Sequence, residues 1–222
     1  MKRRRAVMEG TQSDISCAIE ELLKIVKFKA DNKSDAAYIP AKPFLHSCKL
    51  LIQVLDKIGP TLAVLRQDVH QNIQRLEKVM EKDIIIYSNL VEILKKEQKE
   101  GNARSPTSCT RALVWLTRSM DFTVALLDKL VKDPALTMEK AVEEAYEITL
   151  KPWHGWISTA AYKVALKLVP ESKCFISLLM PKDGNFEMLK EELLTFISVL
   201  VPILNEMHCI LKTFHSDRLR ST

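Results

Sequence analysis

Apolar residues recur along almost the whole chain at the spacing of one helix face. The clearest stripe runs through six residues that stand three or four positions apart: Leu62, Leu65, Val69, Ile73, Leu76 and Val79. No segment alternates between apolar and polar residues as a half-buried strand does, and the chain shows no internal repeat. The pattern therefore predicts an all-α protein with about eight helices.

Breaks in this pattern predict where helices begin and end. Gly59 and Pro60 end one apolar stripe, and the polar stretch 101–106 separates two others. Thr137 precedes a further stripe and is a predicted N-cap, while the apolar segment from Ile84 to Leu94 predicts part of a helix. A polar linker ends near residue 41. It divides the chain into an N-terminal extension with one amphipathic helix, 1–40, and a domain, 41–222.

Composition and charge limit the classes of protein that this chain can belong to. With 222 residues, of which 47% are hydrophobic and 27% charged, it fits a globular domain with a sizeable core. The net charge is +5, and much of the excess comes from residues 2–5 together with Arg218 and Arg220. Such basic ends commonly serve solubility, and attraction to anionic lipid headgroups is the functional interpretation. We expect a monomer that does not bind nucleic acid.

Cysteine usage and hydropathy predict a cytoplasmic protein that is peripheral to membranes. The five cysteines are scattered and form no C-x-x-C pair, which argues against a disulfide framework or a zinc cluster. No secretory signal follows Met1. The most apolar stretch, Leu193 to Leu204, includes Pro202 and is too short to span a bilayer.

Three short polar segments interrupt the apolar pattern: 68–72, 115–118 and 153–156. In the first, Asp68 and Asn72 stand one helical turn apart, and Arg75 follows on the same face. We call these three residues the polar row. Because it borders an apolar stripe, the row is either the edge of a binding site or a solvated helix flank.

Together the three segments resemble the glycolipid transfer protein family. The matching pattern is Asp68-x-x-x-Asn72 on an early helix, Trp115-Leu-x-Arg118 opening a middle helix, and an aromatic-His-Gly-Trp sequence at 153–156. The resemblance covers about residues 43 to 211. It implies a two-layer helical sandwich and a soluble carrier that binds one sphingolipid and transfers it between membranes.

The resemblance also implies a role for each polar side chain. Asp68 would accept a hydrogen bond from the ceramide amide, and His154 would donate one to the ceramide carbonyl oxygen. Trp115 would offer its indole face to a sugar ring, while Asn72 and Arg75 would reach the sugar hydroxyls. Taken alone, Asp68 and His154 more commonly have ordinary roles, as a solvated helix carboxylate and a packing histidine, and Trp115 would be a large core residue.

The lipid chains would need an apolar sleeve. A ceramide exposes on the order of thirty methylene groups, and at roughly 0.8 kcal/mol each its transfer into water costs well over 20 kcal/mol. Ten residues on apolar helix faces are the candidate lining: Phe44, Val54, Leu55, Leu62, Leu65, Leu116, Phe122, Ile157, Ala161 and Val164. Apolar stripes of this kind more commonly build an ordinary core, and only the adjoining polar segments favour the sleeve. Trp156 is placed by the resemblance at the membrane-facing surface, with a core position as the alternative.

The headgroup-binding positions favour a sugar. Asn72 and Trp115 match the sugar-binding members, whereas ceramide-1-phosphate carriers have lysine and arginine at these positions. Arg111 lies one turn before Trp115 on the same face, as in the phosphate-selective members, and a guanidinium suits phosphate oxygens. We therefore expect a glycosylceramide ligand, with ceramide-1-phosphate as the alternative and Arg111 as a further headgroup candidate.

An enzyme is the competing class. Asp68 and His154 could act as an acid–base pair, with Cys109 or Ser108 as the nucleophile. However, the sequence has no Gly-x-Ser-x-Gly elbow, no His-Glu-x-x-His metal pair and no glycine-rich phosphate loop. We predict a non-catalytic protein without cofactor or metal. A helical protein that binds a partner without any lipid is the third alternative.

Overall fold

A computed structural model describes residues 13–31, 37–181 and 184–221, and within them the chain is helical. The prediction of an all-α protein is confirmed, with nine α-helices in the described residues where about eight were expected. The helices are α1 (Asp14–Asp31), α2 (Ala41–Ile58), α3 (Ala63–Met80), α4 (Leu90–Glu100), α5 (Cys109–Lys132), α6 (Met138–Thr149), α7 (Trp156–Leu166), α8 (Ser172–Leu179) and α9 (Phe186–Thr213).

The helices form two groups that pack face to face. In one group α2 contacts α1, α3 and α8, and in the other α5 contacts α4, α6 and α9. Contacts of α3 with α5 and of α1 with α9 join the groups. Fully buried side chains from both groups, such as Phe44 and Phe196, fill the space between them. The result is a two-layer sandwich around one hydrophobic core.

The helix predicted in the N-terminal extension contributes to this same core. Its buried residues, Ile15, Ala18, Leu22 and Ile25, belong to the core cluster. Lys29 pairs with Glu206 of α9, and Asp14 accepts from Lys57 of α2 at 2.7 Å. The boundary that the sequence predicted near residue 40 therefore does not separate two hydrophobic cores. The basic residues 2–5 lie outside the described residues.

The start of α4 differs from the pattern of apolar residues. The apolar segment predicted from Ile84 to Leu94 included residues 84–86. These three residues lie before the helix and are 71%, 84% and 51% exposed. The helix begins after Asn89, whose Oδ1 accepts from the backbone N–H groups of Val91 (3.0 Å) and Ile39 (3.1 Å). One side chain thus caps α4 and holds the chain before α2.

Two acceptors fix the beginning of α5, the helix that carries Trp115. The Ser108 hydroxyl caps it by accepting from Arg111 N at 3.0 Å. The Glu97 carboxylate of α4 accepts from the backbone N–H groups of Cys109 and Thr110, both at 2.7 Å. A negative charge at this position also favours the positive end of the helix dipole.

Helix α9 is long and apolar enough to cross a membrane by length and composition, the one such helix in the described part of the chain. It is longer than the stretch Leu193 to Leu204 that the sequence suggested, and it continues through Pro202. Its buried residues, among them Leu193, Phe196 and Leu200, belong to the core. In this fold α9 therefore packs as a core helix against α5 and α1.

Candidate functional site

The polar row on α3 forms as predicted, and its side chains bond to one another in series. Asn72 Nδ2 donates to Asp68 Oδ2 at 3.3 Å, and Arg75 Nη1 donates to Asn72 Oδ1 at 3.4 Å. The same guanidinium nitrogen donates to the carbonyl oxygen of Pro106, in the loop before α5, at 3.3 Å. Asn72 is buried and Arg75 is bonded to the loop before α5, so the row is held in place at both of these residues.

Asp68 presents a carboxyl group at the surface beside this anchored amide. Although the residue is exposed, the protein around its carboxyl group displaces water and raises its pKa above the ordinary 3.8. The charge of Arg75 and the hydrogen bond from Asn72 partly oppose that shift. Among the described residues no hydrogen bond reaches Asp68 Oδ1, which leaves this oxygen able to accept one.

A second group of side chains surrounds His154, and we call it the aromatic cluster: Trp115, Tyr146, His154 and Tyr162. The His154 ring centroid lies 5.5 Å from that of Trp115 on α5 and 5.4 Å from that of Tyr146 on α6. Tyr146 stacks on Tyr162 of α7, with ring centroids 3.5 Å apart and planes within 5°. The cluster thus brings together two of the predicted site residues and two tyrosines that the sequence analysis did not identify.

Three polar atoms of the aromatic cluster are buried without a hydrogen-bond partner among the described residues. They are His154 Nδ1, Tyr146 Oη and Tyr162 Oη. Burial, and secondarily the charge of Arg118, lower the pKa of His154, so its imidazole is neutral at neutral pH. A neutral imidazole has one N–H donor and one acceptor nitrogen, and either can serve a ligand.

Arg118 supports the cluster from the side of α5, a role that sequence reasoning missed. Its guanidinium carbon lies 5.0 Å from the Trp115 ring centroid and 4.0 Å from that of Trp153. It donates to the carbonyl oxygens of Leu219 (2.6 Å) and Asp217 (2.8 Å). Burial lowers its pKa to about 10, which still leaves it charged at neutral pH. The only signal in the sequence was its place in the Trp-Leu-x-Arg motif.

The C-terminal segment, residues 214–221, lies against this part of the molecule. Ser221 N donates to the carbonyl oxygen of Trp153, and Gly155 N donates to Ser221 Oγ, each at 3.0 Å. Arg111, the further headgroup candidate, donates to the carbonyl oxygen of Arg220 at 2.7 Å. The segment therefore borders the loop that carries His154 on both sides of that residue.

The ten candidate sleeve residues fall into three classes of burial. Four are buried in the core: Phe44, Leu55, Leu62 and Leu116. Two are partly buried against it, Val54 and Phe122, and four are exposed, Leu65, Ile157, Ala161 and Val164. None of the ten lines the pocket of about 550 Å³ that opens between α5, α6 and α9. The structure does not bring them together around one open cavity, and the sleeve stays a prediction.

Trp156 lies at the surface, where 81% of it is exposed, so the alternative core position does not hold. It begins α7, and none of the residues of this helix is buried. Ile157 and Val164 of the same helix are 49% and 62% exposed. Helix α7 thus exposes several apolar side chains at the protein surface.

The two candidate nucleophiles of the enzyme alternative have structural roles. Burial, followed by the nearby Glu97 carboxylate, raises the pKa of the Cys109 thiol to about 12, and the thiol contacts the carbonyl oxygen of Arg75 at 3.4 Å. Ser108 Oγ donates to the carbonyl oxygen of Ala103 at 2.8 Å while it caps α5. Among the described residues neither group has the lowered pKa or the neighbouring histidine that activates a nucleophile.

Comparisons with known proteins agree with the sequence motifs. The family model described as Glycolipid transfer protein (GLTP) matches residues 39–181. Glycolipid transfer protein 3 of Arabidopsis thaliana is 52% identical over 232 residues, with 100% of both chains covered. Glycolipid transfer protein 1 of the same plant is 34% identical, with 86% of this chain and 92% of the relative covered.

Solved structures share the fold at lower identity. A structure described as showing how FAPP2 selects simple glycosphingolipids with the GLTP-fold has a TM-score of 0.77 and 24% identity, and the match covers 85% of this chain and 92% of that one. Human ceramide-1-phosphate transfer protein in complex with 12:0 ceramide-1-phosphate has a TM-score of 0.76 and 16% identity, over 91% and 97% of the two chains. These likenesses confirm the two-layer helical fold.

Proposed function

Because the chain belongs to the glycolipid transfer protein family, we propose that it binds one sphingolipid molecule and carries it between membranes. The observation that carries this proposal is the buried Nδ1 of His154, which has no hydrogen-bond partner in the described part of the chain, together with the Asp68 carboxylate at the surface. A buried polar atom without a partner costs about 1–3 kcal/mol, which a suitable ligand would recover.

The ceramide amide supplies both complementary groups. Its N–H can donate to Asp68 Oδ1, and its carbonyl oxygen can accept from His154. The two residues belong to the α3 side and the α5 side of the fold, and these helices are in contact. An amide that is hydrogen-bonded at both its N–H and its carbonyl oxygen is oriented without any proton transfer. The lipid would therefore be released with its chemical structure unchanged. We propose no catalytic step.

The sleeve would form as the lipid enters. Phe44 and Leu116 are fully buried in the present structure, and Leu55 and Leu62 nearly so. Their contacts are apolar, so exchanging side-chain contacts for methylene contacts keeps the interior dry. If the two helical layers separated between α2 and α5, the hydrocarbon chains of the lipid could enter the core. The polar row and His154 would then bind the polar part of the lipid near the protein surface.

A simple glycosylceramide is the ligand that we propose for this site. Asn72 and the indole of Trp115 suit a sugar with many hydroxyl groups. Arg111, the residue that favours phosphate, already donates to the carbonyl oxygen of Arg220 and would have to leave it to reach a headgroup. Ceramide-1-phosphate is the second candidate, since that guanidinium lies one turn from Trp115.

Membrane contact would occur through α7. Its exposed apolar residues, with Trp156 at the first position, suit the headgroup boundary of a bilayer, where indole is favoured. We propose a monomer that works in the cytoplasm and meets membranes only at their surface.

Vesicle transfer tests the function. Donor vesicles carry fluorescent glycosylceramide or ceramide-1-phosphate, and the wild-type protein should move the first faster and leave it chemically unchanged. Asp68→Val should reduce transfer at least about tenfold, the effect of losing one good hydrogen bond to a charged group. Helicity should stay near that of the wild type, and the melting temperature should fall by only a few degrees, because the hydrogen bond lost is the single one that Asn72 donates to Asp68.

The headgroup assignment has its own control. Arg111→Leu should leave glycosylceramide transfer within about twofold of the wild type, because this arginine is bonded to the C-terminal segment. A wild-type preference for ceramide-1-phosphate that disappears in Arg111→Leu would reverse the headgroup assignment and leave the amide site standing. Full activity of Asp68→Val would refute the amide site itself.

A further inference from the structure

Two phenol groups next to His154 have no task in the binding mode proposed above. Tyr146 is 2% exposed, and its hydroxyl oxygen, like that of Tyr162, is buried without a hydrogen-bond partner among the described residues. Phenylalanine would fill the same space without burying a hydroxyl. An unpaired buried hydroxyl therefore points to a polar group that reaches it in the bound state.

The position of the two phenol groups limits which polar group of a ligand can reach their hydroxyls. Tyr146 packs against the His154 ring with centroids 5.4 Å apart, and Tyr162 stacks on Tyr146 at 3.5 Å. Both rings come from the helices that flank the His154 loop, α6 and α7. A ligand carbonyl bonded to His154 would bring the atoms nearest to it in the lipid towards these hydroxyls, and the remote ends of the chains would lie elsewhere.

Carbon 2 of the acyl chain is bonded directly to the amide carbonyl carbon. A hydroxyl on carbon 2 therefore travels with the group that His154 holds, and it can both donate to and accept from a phenol. In a wholly apolar sleeve that hydroxyl would be buried without a partner, which disfavours binding. Beside two phenols it is matched.

We propose that Tyr146 and Tyr162 form a hydroxyl-binding subsite next to His154, and that the protein prefers sphingolipids whose acyl chain carries a 2-hydroxyl group. This inference rests on the proposed function, since it assumes that His154 holds the amide carbonyl. It adds a determinant of specificity in the ceramide part, independent of the choice between sugar and phosphate.

The test compares two glycosylceramides that differ only in the 2-hydroxyl group of the acyl chain. Each is placed in donor vesicles of the same phosphatidylcholine composition, and initial transfer rates are measured separately and in competition. The wild-type protein should favour the hydroxylated lipid by on the order of tenfold, the effect of one hydrogen bond of ordinary net strength.

Tyr146→Phe should reduce this preference towards one, and Tyr162→Phe should reduce it in part. The ratio of the two transfer rates is the readout, because each variant keeps the stacked ring and loses only the hydroxyl that would pair with the 2-hydroxyl group. Melting temperatures should not fall. Tyr87→Phe is the matched control: this half-buried ring lies under Lys96 (5.5 Å), away from the aromatic cluster, and the preference should remain.

The outcomes separate the two proposals. Equal wild-type rates for both lipids would overturn the hydroxyl-binding subsite and leave the carrier function intact. A preference that survives both Tyr146→Phe and Tyr162→Phe would remove these tyrosines from its cause. If the protein transfers neither of the two lipids, the carrier function is rejected, and the hydroxyl-binding subsite with it.

Discussion

The polar row on α3 and the aromatic cluster around His154 differ in how the protein treats their polar atoms. Asn72 and Arg75 find partners within the protein, whereas His154, Tyr146 and Tyr162 each bury an atom that has none among the described residues. A paired group gains little from a ligand, because it must exchange one partner for another. An unpaired buried group gains the whole bond. The aromatic cluster should therefore contribute more to ligand affinity, and the polar row more to stability before ligand binds.

Arg118 lies beside the aromatic cluster with two hydrogen bonds and two ring contacts, and removing it should have the largest effect on stability. Arg118→Leu would lose two short hydrogen bonds to carbonyl oxygens and contact with two indole rings. Hydrogen bonds from charged donors contribute roughly 1.5–3 kcal/mol each, and some of the freed carbonyl oxygens would bond to water instead. We therefore expect the free energy of unfolding to fall by about 3 kcal/mol. Urea denaturation measures it.

Arg218→Leu is the control for that experiment. The Arg218 side chain is 91% exposed, although it stands in the same C-terminal segment. Its replacement should change the free energy of unfolding by no more than about 0.5 kcal/mol. Equal effects of the two substitutions would show that the segment does not depend on the Arg118 contacts.

His154→Phe sharpens the comparison by removing an unpaired atom and keeping an aromatic ring. Transfer should fall at least about tenfold, because the ceramide carbonyl loses its donor. The melting temperature should stay equal or rise, since the buried Nδ1 that is removed has no hydrogen-bond partner among the residues that the structure describes. By contrast, Asn72→Ala in the polar row should lower the free energy of unfolding by about 1 kcal/mol, because it breaks bonds made within the protein. If both variants lost stability to the same extent, the distinction between the two regions would be wrong.

The pH dependence of transfer gives the smallest effect and isolates Asp68. The surrounding protein displaces water from its carboxyl group and raises its pKa above 3.8. On acidification the carboxylate therefore becomes protonated at a higher pH than an ordinary aspartate and no longer accepts from the amide as an anion. Transfer should therefore fall as the pH drops through that raised value, measured with zwitterionic vesicles whose charge stays constant.

The contribution of Asp68 to stability has the opposite sign. Because the folded state binds this proton more tightly than the unfolded state, the contribution is present below 3.8 and is lost as the pH rises through the folded pKa. Asp68→Asn should remove both dependences. An unchanged acid limb of the transfer profile in Asp68→Asn would assign that limb to another group.

Features that depend on local spacing were predictable from the sequence. The polar row follows from side chains one turn apart, Thr137 caps α6 by accepting from Lys140 N at 3.3 Å, and α2 ends before Gly59 as expected. These structures require only neighbours along one helix.

Features that depend on distant partners were not predictable. The start of α4 is set by Asn89, which also holds Ile39, 50 residues away. Arg118 binds carbonyl oxygens 99 and 101 residues further along the chain. The stacking of Tyr146 on Tyr162 depends on how α6 and α7 fold back around the His154 loop. A one-dimensional pattern carries no signal for such pairs.

The contacts that hold the C-terminal segment also determine how freely its sequence can change. Arg111 and Arg118 donate to main-chain oxygens of Asp217, Leu219 and Arg220, and every residue type supplies such an oxygen. Mutational drift can therefore replace these three side chains while the path of the backbone is kept. We therefore expect substitutions to be tolerated better at these three positions than at the two arginines that bind their main-chain oxygens.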